Sequence, residues 1–268
     1  MKSGVIGYLG PKGTYSQLAA EKLCAGAEIK AYPSFFTLFS ALKNGEACGI
    51  VLPIENSLNG AVTQNLDLLQ ETENVYAKAA ASVKIDHRLV TKKGCDKIRI
   101  TRVYSHAQAL GQCAKFLASN FPEAELHETA STADSLKKLE CETDACIVGA
   151  HLNTDGFDMS ANTISDEASN YTQFLLVVNG APEESAESQK VFFSFTCRHR
   201  VGALVDMLSL LKESGINMTE IESRPIKSSA GEFRFFLEVE GDYSDGKIKA
   251  ALNRVKEASS SFKLLGVY

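Results

Sequence analysis

The N-terminal part of the chain alternates between short apolar runs and segments with apolar residues at helical spacing. The runs at 4–9, 28–32 and 48–52 predict three strands, and the segments that follow them predict helices. This β-α-β-α-β-α order favours a mostly parallel sheet. Ligands bind such sheets at the carboxyl ends of the strands, so a site is expected at that edge.

A second series of strands and helices follows. Alternating apolar and polar residues from Val83 to Leu89 predict one long, half-exposed strand that crosses to another lobe. Further strands are predicted at 102–104, 124–127, 145–148 and 175–178, the last of which returns to the first lobe. The pattern therefore predicts two α/β lobes with a cleft between them. The first lobe covers about 1–80 and 165–180, and the second covers about 81–164.

A separate small unit is predicted at the C-terminal end. Residues 181–190 are polar and acidic and lack apolar periodicity, which is typical of a linker. Beyond them, residues 191–268 predict a strand, a helix, two strands joined by a hairpin around Ser228–Gly231, a helix and a last strand. This βαββαβ order is the ferredoxin-like arrangement.

Composition and charge narrow the class of protein. The 268 residues are 44% hydrophobic and 23% charged, which is ordinary for a globular protein in water. The formal net charge of −5 argues against nucleic acid or an anionic membrane as a partner. No apolar run approaches the ~18 residues of a membrane span, and the N-terminal residues do not resemble a signal peptide. We therefore expect a cytoplasmic protein.

The cysteines predict neither disulfides nor a metal site. Seven are present without a C-x-x-C motif, and the closest pair, Cys141 and Cys146, lacks a histidine at metal-ligand spacing. Reduced, mostly buried thiols are expected. No nucleotide-binding motif is present either, so we expect no cofactor and no metal.

The strongest local signal is the end of the third strand. Pro53 cannot donate to a sheet, so the strand is predicted to end there, followed by the polar residues Glu55, Asn56 and Ser57. A turn at Asn59–Gly60 then leads into a helix. On the pattern alone, a capped polar turn that binds nothing explains this stretch as well as a ligand site does.

A glycine-containing loop, Gly10–Gly13, follows the first strand. Thr14 and Gln17 stand at capping-box spacing at the start of the next helix. Free N–H groups and the positive end of the helix dipole suit this junction to a carboxylate, and Lys12 adds a positive charge. Because many α/β turns of this kind bind nothing, the loop alone does not define a site.

Five short motifs, in order along the chain, resemble those of the prephenate dehydratase family. They are Gly10–Ser16, Val51–Ser57 followed by Gly60, Ser105–Leu110, Ser131–Ala133 and Asn170–Phe174. Ala107 stands where the family usually has proline, and Gln173 stands where it usually has arginine. The C-terminal unit resembles an ACT regulatory domain. Each match is short, but their order and spacing together are very specific.

The resemblance implies a fold and a reaction. The fold is α/β, with a two-lobed periplasmic-binding-protein-like catalytic domain over 1–180 and a ferredoxin-like ACT domain over 191–268. The reaction is that of a carbon–oxygen lyase, which converts prephenate to phenylpyruvate, water and carbon dioxide in L-phenylalanine biosynthesis. Because the product ring is aromatic, the protein needs only to hold two carboxylates and donate a hydrogen bond to the leaving hydroxyl.

The resemblance also implies residue roles. Thr172 is the expected donor to the leaving hydroxyl. The other expected catalytic residues are Asn56, Ser57, Glu55 as an orienting group, Gln108 and His106, although a histidine at such a turn is as often a helix cap. The expected substrate-binding residues are Thr14, Ser16, Pro53, Ser105, Gln173 and Phe174. L-Phenylalanine is expected to bind between two ACT domains, in a homodimer or dimer of dimers, at Gly202, Ala203, Leu204, Asn217, Met218, Glu222, Ser223 and Arg224.

Gln173 is the departure from the family pattern that matters for activity. Exchanging a charged hydrogen bond for a neutral one costs roughly 1–2 kcal/mol, or about 5- to 30-fold. We therefore expect measurable dehydratase activity that rises in Gln173→Arg. Two alternatives stay open: an arogenate dehydratase, and a non-catalytic amino-acid-responsive binding protein, which Gln173 alone favours.

Overall fold

Two β-sheets and the helices packed on them make up the part of the chain that the computed structural model describes, residues 4–95, 99–182, 188–197, 200–226 and 231–268. The strands are β1 (Ile6–Leu9), β2 (Ile29–Tyr32), β3 (Gly49–Asn56), β4 (Gly60–Ala61), β5 (Val75–Lys84), β6 (His87–Lys92), β7 (Arg102–Ser105), β8 (Glu125–Glu128), β9 (Asp144–Gly149), β10 (Phe157–Met159), β11 (Tyr171–Asn179), β12 (Lys190–Thr196), β13 (Met218–Pro225), β14 (Phe233–Glu240) and β15 (Ser261–Val267). The helices are α1 (Tyr15–Leu23), α2 (Phe35–Lys43), α3 (Thr63–Glu71), α4 (Ala107–Gln112), α5 (Ala114–Asn120), α6 (Thr132–Ser135), α7 (Ala203–Glu213) and α8 (Gly246–Ala258).

The first lobe is built on β3. Strand β1 lies between β2 and β3 and is parallel to both, while β11 runs antiparallel between β3 and β5. Successive residues of a strand face opposite sides of the sheet. Accordingly Ile50 and Leu52 pack with α2 and α3, and Val51 packs with α1. Both faces of this sheet are therefore covered, which explains why the strands read as continuous apolar runs.

The second lobe has its own sheet, in the order β10-β6-β9-β7-β8. Strands β7, β8 and β9 are parallel, and β6 pairs antiparallel with β9 and β10. Its core holds buried residues of β7, β9 and α4, among them Val103, Ile147 and Leu110. The two-lobed α/β fold expected from the sequence is confirmed.

The crossing between the lobes corrects one expectation. The strand predicted from Val83 to Leu89 is broken, because β5 ends at Lys84 and β6 begins at His87 in the other sheet. Ile85 N donates to Asn170 O at 2.8 Å, which ties this crossing to the returning chain. Tyr15 Oη donates to Asp86 O at 2.6 Å and accepts from Asp86 N at 2.9 Å. These bonds use the backbone groups that a continuous ladder would need.

The C-terminal unit has the predicted βαββαβ order, with its sheet arranged β13-β14-β12-β15. The predicted turn at Ser228–Gly231 lies mostly outside the described residues. Strand β15 pairs in parallel with β5 at Gly266 and Ala77, so the C-terminal sheet and the first-lobe sheet are continuous. A Cβ on Gly266 would lie 2.6 Å from Ala77 Cβ, so this close approach requires glycine.

The C-terminal unit also shares a core with the first lobe. Phe192, Phe236 and Leu265 belong to the same buried cluster as Leu66 and Leu175. A second cluster, around Phe193, Met207 and Leu252, lies within the unit between its sheet and its helices. The unit is therefore packed directly on the first lobe, although residues 183–187 of the predicted linker lie outside the described residues.

Candidate active site

A cavity of about 240 Å³ lies between the two lobes. The first lobe contributes the end of β1, the start of α1, the end of β3 and the start of β11, while the second contributes the start of β6, α4 and the start of α6. The lining residues are Leu9, Gly10, Thr14, Tyr15, Ser16, Asn56, Ile85, His87, His106, Gln108, Ala109, Gln112, Ala130, Ser131, Thr132 and Thr172. The structure thus brings together six of the predicted site residues from four separate motifs: Thr14, Ser16, Asn56, His106, Gln108 and Thr172.

Asn56 and Thr172 form the centre of this cavity wall. They are direct neighbours across the β3–β11 pair, and both are buried. Asn56 Nδ2 donates to Thr172 Oγ1 at 3.0 Å, and Asn56 Oδ1 accepts from the backbone N–H groups of Leu58 and Asn59 at 3.2 and 3.1 Å. The threonine oxygen is therefore an acceptor here, which leaves its own hydroxyl hydrogen available to a ligand.

The start of α1 forms the opposite end of the cavity. Thr14 caps the helix, since its Oγ1 accepts from Gln17 N at 3.4 Å and donates to Leu9 O at 3.1 Å. The Thr14 hydroxyl is thus already used within the protein. The first-turn N–H groups, the positive helix end and the Ser16 side chain remain to hold an anion there.

His106 and Gln108 come from the second lobe. His106 Nδ1 accepts from Gln108 N at 3.3 Å. His106 therefore caps α4, which was the alternative to a catalytic role considered for it from the sequence. A neutral imidazole that accepts at Nδ1 carries its proton on Nε2. His106 can therefore cap the helix and still present an N–H group to the cavity.

Six predicted site residues lie outside the cavity lining, and four of them have other contacts within the protein. Ser105 Oγ donates to Ile147 O at 2.8 Å, and Phe174 is buried in the first-lobe core. Pro53 lies in β3, where its carbonyl accepts from Asn65 Nδ2 at 2.7 Å. Ser57 Oγ accepts from Tyr171 N at 3.0 Å and so ties the turn after β3 to the start of β11. These four residues therefore support the structure around the cavity through their contacts within the protein.

Glu55 and Gln173 correct the prediction most sharply. Each precedes or follows a cavity residue by one position, and strand alternation turns both to the opposite face of the sheet. Gln173 Nε2 donates to Glu238 Oε2 at 3.0 Å, and Glu55 contributes to the raised pKa of Glu220. Glu238 and Glu220 both belong to the C-terminal unit. The Gln173 side chain therefore does not line the cavity, so this replacement of arginine does not favour a non-catalytic binding protein.

Sequence reasoning missed several lining residues, chiefly Tyr15, His87 and Gln112. Gln112 lies four residues after Gln108 in α4, so the two share one helix face, and this spacing could have revealed it. Tyr15 stands inside the quoted Gly10–Ser16 motif. His87 occupies an inward position of the alternating Val83–Leu89 stretch, but nothing in that pattern separates it from a core residue.

Uncharged side chains make up most of the cavity lining. Among the described residues, its lining contains no lysine, arginine, aspartate or glutamate. Burial lowers the pKa of His87, which keeps that imidazole neutral, and burial raises the pKa of Tyr15. The cavity therefore offers neutral hydrogen-bond donors and one helix N-terminus to a ligand.

Two family models match the chain. The prephenate dehydratase model matches residues 6–181, and the ACT domain model matches residues 191–257. The chain belongs to the prephenate dehydratase family. It is an enzyme of the hydro-lyase class, and its C-terminal unit is an ACT domain, as the motifs predicted.

Individual relatives agree with this family assignment. A bifunctional chorismate mutase/prephenate dehydratase of Neisseria gonorrhoeae is 37% identical over 98% of this chain and 74% of its own length. A prephenate dehydratase of Arthrobacter aurescens, solved in complex with L-Phe, superposes with a TM-score of 0.89 at 27% identity, over 98% of this chain and 89% of that one. The prephenate dehydratase of Staphylococcus aureus gives a TM-score of 0.84 at 27% identity, over 98% and 99% of the two chains.

The residues expected to bind phenylalanine fall into two groups in the ACT domain. Gly202, with φ of +79°, precedes α7, and Ala203 and Leu204 line a cavity of about 130 Å³. The second group, on or next to β13, consists of Asn217, Met218, Glu222, Ser223 and Arg224. Of these, Met218 packs on the ACT core and Asn217 Nδ2 donates to Glu240 at 2.8 Å. Arg224 instead points to the first lobe, where it pairs with Asp67 at 2.8 Å.

No helix in the described part of the chain is both long enough and apolar enough to cross a membrane. Among the same residues, no group of three or more histidine, cysteine, aspartate or glutamate side chains could hold a metal ion.

Proposed function

We propose that the cleft binds prephenate and converts it to phenylpyruvate, water and carbon dioxide, with Thr172 as the hydrogen-bond donor to the leaving hydroxyl. The observation that carries this proposal is the bond from Asn56 Nδ2 to Thr172 Oγ1. Because the threonine oxygen already accepts, its hydrogen can be donated only to another group, and the cavity lies next to it. The family assignment supports the same reaction.

The reaction breaks two bonds of the ring. The electron pair of the bond to the ring carboxylate moves into the ring as carbon dioxide leaves, and the hydroxyl departs with the pair of its C–O bond. The hydroxide becomes water by taking a proton from solvent. Thr172 donates to the departing oxygen as its negative charge grows, so this hydrogen bond is stronger in the transition state than in the bound substrate.

Neutral groups suffice to hold the two carboxylates of prephenate. The N-terminus of α1 with Ser16 offers donors at one end of the cavity, and Gln108 with His106 offers donors from the other lobe. Because the described cavity lining contains no lysine or arginine, binding energy comes from several directional bonds. That arrangement fixes the ring between the lobes with its hydroxyl at Thr172.

An assay of products tests this function. The enzyme is incubated separately with prephenate and with arogenate, and phenylpyruvate and phenylalanine are quantified. We expect phenylpyruvate from prephenate at a much higher kcat/KM than phenylalanine from arogenate. A preference for arogenate would make this an arogenate dehydratase, and no product from either substrate would contradict a catalytic role.

We further propose that L-phenylalanine binds the ACT domain and inhibits the enzyme by feedback, which places it in phenylalanine biosynthesis. The ACT family match and the L-Phe complex of the Arthrobacter aurescens relative support this. Calorimetry with L-phenylalanine, alongside inhibition of prephenate turnover, tests it. Absence of heat together with unchanged turnover would contradict the proposal.

A homodimer or dimer of dimers would complete the effector site. The ACT domain exposes the apolar side chains of Val201, Val205, Ile221 and Phe233, with Val201 99% exposed. These flank both groups of predicted effector residues, so pairing of two ACT domains would cover them and bring α7 of one copy near β13 of the other. Light scattering should give at least twice the 29.0 kDa chain mass. We propose that this assembly acts in the cytoplasm, with residues 1–180 catalytic and 191–268 regulatory.

A further inference from the structure

The hydrogen bonds of the cleft wall run in one fixed direction, which the backbone after β3 sets. Because Asn56 Oδ1 accepts from Leu58 N and Asn59 N, Asn56 Nδ2 must be the donor to Asn170 Oδ1, at 2.8 Å. Asn170 Nδ2 then donates to Gln112 Oε1 at 3.0 Å. Gln112 Oε1 is therefore an acceptor for its other neighbour as well.

That other neighbour is His87, whose Nε2 lies 2.8 Å from Gln112 Oε1. Since the amide oxygen can only accept, the imidazole must carry a proton on Nε2. The neutral ring then has a bare lone pair on Nδ1. In the described part of the chain, Nδ1 is buried and has no hydrogen-bond partner.

The unpartnered Nδ1 acceptor belongs to a residue that lines the cleft, so a bound ligand could supply its hydrogen-bond donor. His87 is only 3% exposed, yet it forms part of the cleft wall. Burial lowers the pKa of its imidazole more than the bond to Gln112 and the charge of Asp86 raise it, so the ring stays neutral. Buried acceptors normally have a partner, and here Nδ1 has none among the residues that the structure describes.

We propose that His87 is a further substrate-binding residue, and that its Nδ1 accepts the hydrogen of the substrate's ring hydroxyl. This inference rests on the proposed reaction at Thr172. At neutral pH both carboxylates of the substrate are acceptors, so the ring hydroxyl is its one O–H donor. Thr172 donates to the oxygen of this hydroxyl while His87 accepts its hydrogen, and the two contacts together orient the bond that breaks.

The two contacts contribute at different stages. As the C–O bond breaks, the oxygen gains negative charge, which strengthens the bond from Thr172 and makes the remaining O–H a weaker donor to His87. The His87 contact is therefore realised mainly in the bound substrate, and its loss should appear chiefly in KM.

Two substitutions of His87 separate this role from a structural one. In His87→Gln the side-chain amide reaches the former position of Nε2, so the contact with Gln112 is kept and the acceptor at Nδ1 is lost. In His87→Asn the shorter amide lies where Nδ1 was, so an acceptor is kept and the contact with Gln112 is lost. We expect KM for prephenate to rise about 3- to 10-fold in His87→Gln, the loss of one neutral hydrogen bond, and to rise less in His87→Asn. An equal or larger rise in His87→Asn would overturn the inference.

A competitive analogue that lacks the ring hydroxyl gives a second readout. Its inhibition constant should be the same for the wild type and for His87→Gln, because it makes no contact with Nδ1. A loss of analogue binding that equals the loss for prephenate would overturn the assignment of the hydroxyl.

Nitrogen-15 NMR of the wild-type histidines needs no variant. We expect His87 to be protonated at Nε2 and bare at Nδ1, and the opposite tautomer would overturn the inference. If wild-type enzyme forms no phenylpyruvate at all, the proposed function fails, which is distinct from an active enzyme whose His87→Gln variant is unaffected.

Discussion

Asn56 sets the polarity of the cleft at the scale of single residues. Its side-chain oxygen Oδ1 accepts hydrogen bonds from two backbone N–H groups, so its side-chain NH₂ group must face Thr172 and Asn170. A neutral amide can do this because it carries a donor and an acceptor on one rigid group. A carboxylate at the same position could only accept, and it would draw the Thr172 hydrogen away from the substrate.

Asn56→Asp should therefore abolish most of the activity with almost no change in shape. We expect kcat for prephenate to fall roughly 100-fold, the scale of losing one preorganised donor, with the added negative charge also weakening binding of the dianion. Steady-state kinetics measures this, with Asn253→Asp on the exposed surface of α8 as the matched control. Near-normal kcat in Asn56→Asp would mean that Asn56 does not orient Thr172.

Gln173→Arg tests which face of β11 carries the chemistry. The Gln173 side chain meets Glu238 of the ACT domain, so the guanidinium should join that carboxylate and leave the cleft unchanged. We expect kcat/KM to stay within about twofold of the wild type, since the site of change does not touch substrate. A rise of fivefold or more would restore the sequence-based expectation that this residue belongs to the active site.

The motifs located Asn56 and Thr172, but not which of their neighbours share the site. Glu55 and Gln173 lie beside them in sequence, and the alternation of a strand places adjacent residues on opposite faces. Once the strands were predicted from the sequence, this alternation could have separated Glu55 and Gln173 from the site. His87 could not have been found this way, because its role depends on a chain of contacts from Asn56 through Asn170 and Gln112.

At the scale of elements, α3 connects the ACT domain to the cleft. The helix begins just after the Asn56–Gly60 stretch, and Asn65 Nδ2 in the helix donates to Pro53 O of β3. The ACT domain contacts α3 through the Arg224–Asp67 ion pair and through a hydrogen bond of 2.6 Å from Ser194 Oγ to Gln70 Oε1. Lys263 Nζ donates to the carbonyls of Leu69 and Gln70 in the last turn of α3 and to that of Thr72, the residue after the helix, at 2.7–2.9 Å. A shift of the ACT domain would thus move α3 and the turn that orients Asn56.

Asp67→Asn should uncouple inhibition from effector binding, given the proposed regulation. The ion pair joins Arg224, in a predicted effector motif, to α3, and both side chains are only a quarter exposed. We expect the phenylalanine concentration for half-inhibition to rise at least about fivefold, a typical coupling energy, while calorimetric affinity changes little. Glu213→Gln, which breaks an exposed ion pair with Arg254 inside the ACT domain, is the control. Equal inhibition of Asp67→Asn and wild type would rule out this route.

Local patterns predicted most elements, but not how they meet. The strand–helix order of both lobes and the βαββαβ order follow from periodicity and capping, as at Ser34, whose capping box with Thr37 starts α2. The break at Ile85–Asp86 was missed because alternation continues across it. What ends the strand there is a bond from distant Tyr15, which no local window contains.

At the scale of the whole molecule, a cluster of carboxylates lies where the ACT domain meets the first lobe. Burial would raise the pKa of Glu238, but bonds from Lys190, Thr219, Tyr268 and Gln173 hold it below its usual value. Burial, together with the charges of Glu55 and Glu238, raises the pKa of Glu220 to about 7. Lys190 opposes this shift and Glu222 adds to it. The carboxyl group of Glu220 at this interface is therefore protonated at mildly acidic pH and begins to lose its proton near neutral pH.

The stability of the folded protein should consequently fall as pH rises from 5.5 to 8. Folded Glu220 has a pKa of about 7 against 4.5 for the free side chain, so the stability gained by holding this proton is full below about pH 4.5 and is lost as pH rises through 7. The loss amounts to about 1–3 kcal/mol. Thermal unfolding at the two pH values should show a smaller difference for Glu220→Gln than for wild type. The same pH dependence in both proteins would show that Glu220 is not the group that titrates.

The sequence divided the chain into catalytic and regulatory parts, but it did not predict that they share a sheet. The pairing of Gly266 with Ala77 and the packing of Phe192 and Phe236 with Leu66 involve segments more than a hundred residues apart. Neither strand pattern contains information about its partner across such a distance. This packing is what gives Gln173, Glu55 and α3 their contacts with the ACT domain.

The proposed reaction depends on donation from the Thr172 hydroxyl to the leaving group, and single-turnover kinetics of two variants tests this donation. Thr172→Val keeps the shape and the strand preference but has no hydroxyl, while Thr172→Ser keeps the hydroxyl. With prephenate bound, we predict that phenylpyruvate formation slows roughly 100-fold or more in Thr172→Val and less than about tenfold in Thr172→Ser. Equal rates for Thr172→Val and wild type would show that the Thr172 hydroxyl does not assist departure of the leaving group.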